Sequence, residues 1–294
     1  MFELYQLRYF IAIVETGNFT KAAERACVTQ PTLSAGIKKL EEQIGTRLFH
    51  RTSRRVFLSK AGTAFLGRAK AILYECNLAV RELSHTEAPK VLRLAIVRTI
   101  PIVLVSKLLE DFKAQDAGAV IELFEGSEQE VANRLANGGS DLAITILRDD
   151  MEPANVLPLF EEGYALALSD RHPLARRKSI TGAELANDNM VVRTRCEVLS
   201  ETSRYFTDRN VRPRLVYRTN NDERALEMIR VGLGVTVMPE SYRWEGVARV
   251  PLEGFGLRRS IALVAPPHAP AEENRSLVET FSVFTSSQAW ESAA

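Results

Sequence analysis

The sequence predicts three parts in order: an all-α winged helix-turn-helix domain, one long linker helix, and a two-lobed α/β body. Three observations carry this. A helix–corner–helix pattern with alanines on its packing face occupies residues 20–44. A long stretch whose apolar residues step alternately by four and three follows it. Beyond Pro89, short apolar runs alternate with amphipathic stretches, and that alternation occurs twice.

The first helix is predicted over Thr20–Cys27, with Ala22, Ala23 and Ala26 on one face. The second begins near Thr29, an N-cap residue type, and Pro31 falls in its first turn, where a missing N–H costs nothing. Leu33, Ile37, Leu40 and Ile44 form its inner stripe, while Gln30, Ser34 and Lys38 recur four apart on a hydrophilic one. A helical hairpin with a solvated face would show the same pattern. The following residues distinguish the two. Arg47-Leu48-Phe49-His50-Arg51 and Val56-Phe57-Leu58 read as short strands around the turn Thr52-Ser53-Arg54-Arg55. Arginines at the tip of such a wing, here Arg51, Arg54 and Arg55, hold phosphates or enter a minor groove. A helix offering Gln, Ser and Lys at its N-terminal end suits a major groove, so double-stranded DNA is the expected partner.

Charge agrees. The chain's formal net charge is +1, yet residues 1–60 hold 10 Lys and Arg against 5 Asp and Glu, leaving an acidic remainder. A basic front end on an acidic body fits nucleic-acid binding through one end; chance clustering on a small domain would give the same count. Three separated cysteines and four scattered histidines exclude the spacings of a structural zinc site, and no metal or cofactor is expected. The motifs of phosphate loops, nucleophile elbows and dinucleotide folds are missing, so no catalytic residue is assigned and no enzyme is expected. Phe10–Val14 is too brief for a secretory signal and no apolar run approaches a membrane span. The expectation is a soluble, cytoplasmic protein with no membrane partner.

The linker helix is predicted over about 59–86. Phe65, Ala69, Ile72, Cys76, Ala79 and Leu83 make a coiled-coil seam, and a second copy of the chain is the economical partner. Packing on its own body is the alternative. A homodimer would present two recognition helices to a two-fold site. Cys76 on the seam is read as a small packed side chain rather than an interchain disulfide. Pro89 ends the helix.

In the body, strands are predicted at Val91–Val97, Val120–Glu125, Leu142–Ile146, Ala165–Leu168, Met190–Arg193, Leu215–Tyr217, Val235–Val237 and Ile261–Val264. Helices fall at Val103–Lys113, Gln129–Ala136, Ser200–Asn210, Glu223–Val231 and near 272–287. The alternation argues for parallel sheets in two lobes joined by crossing strands, with a cleft between them.

Two phrases resemble the N-terminal domain of LysR-type transcriptional regulators: LRYFIAIVETGNFTKAAERACVTQPTLS and IKKLEEQIGTRLFHRTSRRVFLSKAG. LRLAIVRTIP, IELFEGSEQEVANRLANGGSDLAI, HPLA and VGLGVTVMP follow in the family's order, so the resemblance covers essentially the whole length. It implies domains at 1–60 (DNA-binding), 61–88 (dimerising helix) and 89–294 (a periplasmic-binding-protein-like effector domain). Lobe I would be about 89–162 with 266–294, and lobe II about 163–265. It implies that Gln30, Pro31, Thr32 and Ser34 face DNA, joined here by Thr20, Lys38 and the wing, and that dimers pair into a homotetramer. A regulator seated at an operator also has RNA polymerase as a candidate partner. Ala35-Gly36 departs from the long polar pair common in the family. Two base-reaching side chains are expected to be lost, and Gly36 to cost about 1 kcal/mol of helix stability relative to Ala.

Ligands on such folds bind at the carboxyl ends of strands and at helix N-termini. Arg98, Thr99 and Ile100, then Ser127, then Arg193, Thr194, Arg195 and Cys196 occupy such places. The arginines favour a small-molecule effector that is an organic anion. Helix capping by Thr99 and Ser127, and surface salt bridges for the arginines, explain the same residues. Cys196 resembles the reactive cysteine of the family's oxidant-sensing branch, but Tyr205 stands where that branch has its second cysteine. The main expectation is a ligand-responsive transcriptional regulator. The alternatives are an oxidant sensor using Cys196, and an enzyme or transport-type binding protein with an appended hairpin.

Overall fold

Residues 2–51, 56–84, 91–149, 151–266, 272–288 and 290 are described by a computed structural model. The wing turn with Arg54 and Arg55, the side chain of Arg51, the hinge around Pro89 and the side chain of Leu83 lie outside the described residues.

Three helices build the first domain: α1 (Leu4–Thr16), α2 (Phe19–Arg25) and α3 (Gln30–Ile44). Sequence reasoning passed over α1, of which only the brief apolar run was noticed. Yet Leu7, Phe10 and Ile13 of α1 are buried against Leu33, Ile37 and Leu40 of α3, and α1 supplies the largest share of the core. Asn18 Oδ1 caps α2, accepting from the N–H groups of Thr20 at 2.8 Å and Lys21 at 3.1 Å. α2 ends at Arg25 rather than Cys27, because Cys27 adopts φ 54° to turn the corner. Strands β1 (Phe49–Arg51) and β2 (Val56–Leu58) pair antiparallel as the expected wing.

The linker helix α4 (Lys60–Ser84) runs 25 residues. Its apolar seam does not face one way. Ala69 is fully buried in the first domain's core, and Phe65 stacks edge-on to Phe10 at 5.2 Å. Farther along, Ala79 and Val80 are exposed. The front of the expected seam therefore packs on its own domain, and among the described residues Ala79 and Val80 are the exposed apolar side chains toward its back.

The body follows as β3 (Val91–Val97), α5 (Ile102–Gln115), β4 (Val120–Gly126), α6 (Glu128–Ala136), β5 (Leu142–Ile146), β6 (Val156–Ser169), β7 (Asn189–Arg193), α7 (Leu199–Asp208), β8 (Arg214–Thr219), α8 (Asp222–Arg230), β9 (Thr236–Pro239), β10 (Val247–Pro251), β11 (Arg258–Val264) and α9 (Glu272–Ser287). One sheet has the order β10-β6-β11-β5-β3-β4, with β9 also on β6; β7 and β8 form a second. The expected parallel pairing holds for β3 with β4 and β5, and for β7 with β8. The pairs made by β6 and β11 are antiparallel. These two strands carry the chain out of lobe I and back, so they run against each other. β6 is one strand of 14 residues where only Ala165–Leu168 was expected, since its first half is merely half-buried and carries Pro158. β10 was missed for the same reason: in VARVP only Val250 is fully buried. The lobe I core surrounds Leu94, Phe112, Ile144, Leu263 and Phe281; that of lobe II surrounds Leu166, Leu168, Ile180 and Val237.

Candidate nucleic-acid interface and effector cleft

Burial of the Leu33, Ile37 and Leu40 stripe forces the opposite face of α3 outward. Gln30, Pro31, Thr32 and Lys38 are exposed and Ser34 is half-buried. Thr29 caps the helix, its Oγ1 accepting from the Thr32 N–H at 3.4 Å and lying 2.8 Å from Thr32 Oγ1. Thr32 is thus partly engaged in the cap it belongs to. Thr20 lies exposed in the first turn of α2. Lys38 makes only a 3.7 Å contact with Glu42, and both ends are largely in solvent, so its ammonium stays available. Glu41 is engaged by the backbone. Its Oε1 accepts from the N–H groups of Leu48 at 2.8 Å and Phe49 at 3.2 Å, which fixes the wing strand against α3. The result is an open groove of about 1270 Å³ lined by Gln30, Pro31, Ser34, Lys38, Arg47 and His50. Arg47 and His50 were not singled out from sequence; their place just before and within the first wing strand was the available signal.

Gly36 corrects one expectation. Sequence comparison put it among base-reaching positions, but it is buried, and a Cβ there would stand 2.8 Å from Tyr9 Cδ2. Gln6 Nε2 also donates to its carbonyl at 3.4 Å. Gly36 is where α1 and α3 come close, so only Ala35, which is exposed, shortens the reading face.

In the body, Arg98 and Ile100 of the predicted effector residues line a gap between the lobes, while Thr99, Ser127, Arg193, Thr194, Arg195 and Cys196 are not among its lining residues. A cavity of about 370 Å³ is lined by Arg98, Ile100 and Glu125 of lobe I and by Asn221, Asp222 and Glu223 of lobe II. Several of the expected ligand groups already have partners. Ser127 caps α6: its Oγ accepts from the Glu130 N–H at 3.3 Å, and its N–H and hydroxyl both donate to Glu130 Oε2 at 2.7 Å. Arg98 Nη2 reaches the same oxygen at 3.3 Å. The hydrogen bonds from Ser127 hold the Glu130 carboxyl below the usual carboxylate range, with Arg98 and Arg195 adding to the effect.

Arg193 departs furthest from a surface salt bridge or a free anion grip. It is almost fully buried, with Nε donating to Asp222 Oδ1 at 2.7 Å and Nη2 to Asp222 Oδ2. Its Nη1 donates to the Val237 carbonyl at 3.2 Å and contacts Cys196 Sγ at 3.5 Å. Thr194 Oγ1 donates to the Thr219 carbonyl at 3.1 Å, while Arg195 is exposed. Burial pushes the Cys196 thiol up, against the opposing pull of Arg193, so the flanking arginines do not make it a ready thiolate. Tyr205, at the place of the missing second cysteine, donates its hydroxyl to the Glu253 carbonyl at 2.7 Å.

Sequence reasoning missed a buried network on the crossing strands. Arg259 of β11 lies opposite Glu162 of β6 in register, and it also bonds Thr99 from lobe I and Glu197 from lobe II. The paired runs Glu161-Glu162 and Arg258-Arg259 were the available signal.

With a helix-turn-helix groove at one end and an inter-lobe cavity at the other, the comparisons with known proteins are decisive. Residues 4–63 match the model for bacterial regulatory helix-turn-helix proteins of the lysR family, and residues 85–282 match the LysR substrate binding domain. The chain belongs to the LysR family of transcriptional regulators. The Hca operon transcriptional activator HcaR of Escherichia coli is 31% identical over 243 residues, covering 81% of each chain. A full-length OxyR variant from Pseudomonas aeruginosa has the same fold, with a TM-score of 0.54, 23% identity and coverage of 97% of this chain and 98% of that one. So does full-length CbnR solved with its target DNA, at a TM-score of 0.52, 23% identity and coverage of 96% and 99%. This LysR regulator thus carries a DNA-binding domain and an effector-binding domain on one chain. Among its described residues no helix is long and apolar enough to cross a membrane.

Proposed function

We propose that this LysR regulator binds operator DNA through the exposed face of α3, with Gln30, Ser34 and Lys38 reaching base edges and Pro31, Thr32 and Thr20 against the backbone. Arg51, Arg54 and Arg55 of the wing hold phosphates or the minor groove. The observation that carries this reading is the groove between α3 and the wing, from which every fully buried α3 side chain points away. Two copies join along the back of α4, where Ala79 and Val80 are exposed, and pair further into a homotetramer. Its site of action is the cytoplasm, where operator DNA and RNA polymerase are both present.

A small-molecule effector occupies the inter-lobe cavity, in contact with Arg98, Thr99, Ile100 and Ser127 on one side and with Thr194, Arg195 and Cys196 on the other. Arg193 acts from behind, holding Asp222 in the wall. The effector works by binding one arrangement of the lobes better than another, with no bond made or broken. The elevated Cys196 thiol and the tyrosine at 205 favour this reading over oxidant sensing. Selection of duplexes from a random pool tests it. The expected product is a two-fold sequence whose half-sites lie one or more helical turns apart. Recovery of no enriched sequence would contradict it.

A further inference from the structure

Charge does not balance where the lobes meet. Arg259 donates from Nε and Nη2 to Glu162 Oε1 at 2.9 and 2.7 Å, and from Nη1 to Glu197 Oε1 at 2.6 Å. It also donates to Thr99 Oγ1 at 3.2 Å and to the Thr99 carbonyl at 2.9 Å. All five of its N–H groups are engaged. Glu162 Oε2 accepts from the Ser241 N–H at 2.6 Å, which completes that carboxylate. Glu197 is left incomplete. Its Oε1 also accepts from the Tyr164 hydroxyl at 2.8 Å, but Oε2 is buried and, among the described residues, has no hydrogen-bond partner. The Glu197 side chain is only 4% exposed. One guanidinium thus faces two buried carboxylates, and one oxygen lacks a donor, an arrangement proteins seldom leave unfilled.

Neighbouring cations do not fill it. Arg148, within electrostatic reach of Glu197, is bidentate to Glu128 at 2.9 and 2.8 Å. Arg193 is bidentate to Asp222. The cavity wall shows the same shortage: it carries Glu125 and Glu223, while its arginine, Arg98, is paired with Glu130. Glu197 does not line that cavity itself but is linked to its wall through shared partners on both sides. Through Arg259 it shares Thr99, which lies between the wall residues Arg98 and Ile100, and through Cys196 it follows Arg193, the partner of wall residue Asp222.

We infer that the effector of this cleft carries an organic cation, a protonated amine or an amidinium, and that Glu197 Oε2 receives it. The inference rests on the effector reading above and replaces the anion expected from the arginines, since two of the three are already paired within the chain. An ammonium at Glu197 would complete a network that reaches Thr99 of lobe I, Glu197 of lobe II and both crossing strands, so its arrival would favour the closed arrangement.

The test uses the full-length protein and two matched probes, 1,4-diaminobutane and succinate, by titration calorimetry. The diamine is expected to bind and succinate to bind at least tenfold more weakly. Glu197→Gln, which keeps the bonds to Tyr164 and Arg259, is expected to weaken the diamine at least tenfold. Should that variant fail to fold, Glu223→Gln in the cavity wall is expected to weaken it severalfold. Succinate binding in preference to the diamine would overturn the cation while leaving the cleft reading intact. Diamine binding unchanged in both variants, or no binding of the diamine to the parent protein, would also overturn it; the duplex selection above is unaffected by either result.

Discussion

Asn77 on the linker helix donates its Nδ2 to the backbone carbonyl of Asn137 at 2.9 Å, at the far end of α6 from the effector cleft. The contact is not isolated. Lys70 Nζ reaches Asn133 Oδ1 at 3.5 Å, and Tyr74, almost fully buried, packs on Gly138 so closely that a Cβ there would stand 2.6 Å from its ring. Gly138 also has φ 67°, a second reason for glycine. One end of α6 is therefore tied to the cavity wall through Glu130, which pairs with Arg98, and the other grips the helix that carries the DNA-binding domain.

Asn77→Ala should loosen that grip. Loss of one part-buried hydrogen bond is expected to cost about 1 kcal/mol of stability. Operator affinity of the free protein should change little, while the change in affinity that effector produces should shrink. Denaturant unfolding and operator titration with and without effector check both. An effector response equal to the parent's would remove α6 as a coupling element.

Gly36→Ala sets two effects against each other. Alanine gains about 1 kcal/mol in helix propensity, but a Cβ 2.8 Å from Tyr9 Cδ2 must push a packed ring, and overpacking costs about 1–3 kcal/mol. Tyr9 is buried and packs edge-on to Tyr5 at 5.3 Å, so it has little room to yield. Net destabilisation of the DNA-binding domain is expected, read as a lower urea midpoint. A raised midpoint would show that α1 and α3 are less tightly apposed.

Gln30 and Arg54 should separate by the kind of loss. Gln30→Ala is expected to weaken specific binding by about 1–3 kcal/mol and relax one base preference, because a bidentate contact to an adenine edge disappears. Arg54→Ala should weaken binding to all duplexes alike and reduce the salt slope by about one counterion. Equal loss across sequences for Gln30→Ala would remove it as a base reader.

Cys196→Ser should leave the promoter response to peroxide unchanged. Burial holds Cys196 as the thiol, and the thiolate is the reactive form. A reporter assay with peroxide reads this directly, and a lost response would restore the oxidant-sensing alternative.

What could be read in the sequence follows from burial. α3, β3 and β5 lie against cores, so their apolar spacing is unbroken, and the expected boundaries match within a residue. The first part of β6 and most of β10 are half-buried or exposed and show no such spacing. α1 went unread because its apolar residues, Leu7 and Tyr9 to Ile13, are nearly continuous, without the polar gaps that mark a helix face. In the site, sequence placed Arg98, Ser127 and Arg193 near one cleft but could not show that Glu130 and Asp222 already hold them. Pairing across 29 residues, as between Arg193 and Asp222, leaves no local pattern. The network around Arg259 spans 160 residues to Thr99 and was invisible for the same reason.

Footprinting of the full-length protein on a selected duplex tests the central claim most directly, that α3 enters the major groove as one half of a symmetric pair. The expected result is protection of two half-sites on one face of the DNA, lost together in Gln30→Ala at the same protein concentration. Protection of a single unpaired site, or a footprint indifferent to Gln30, would contradict it.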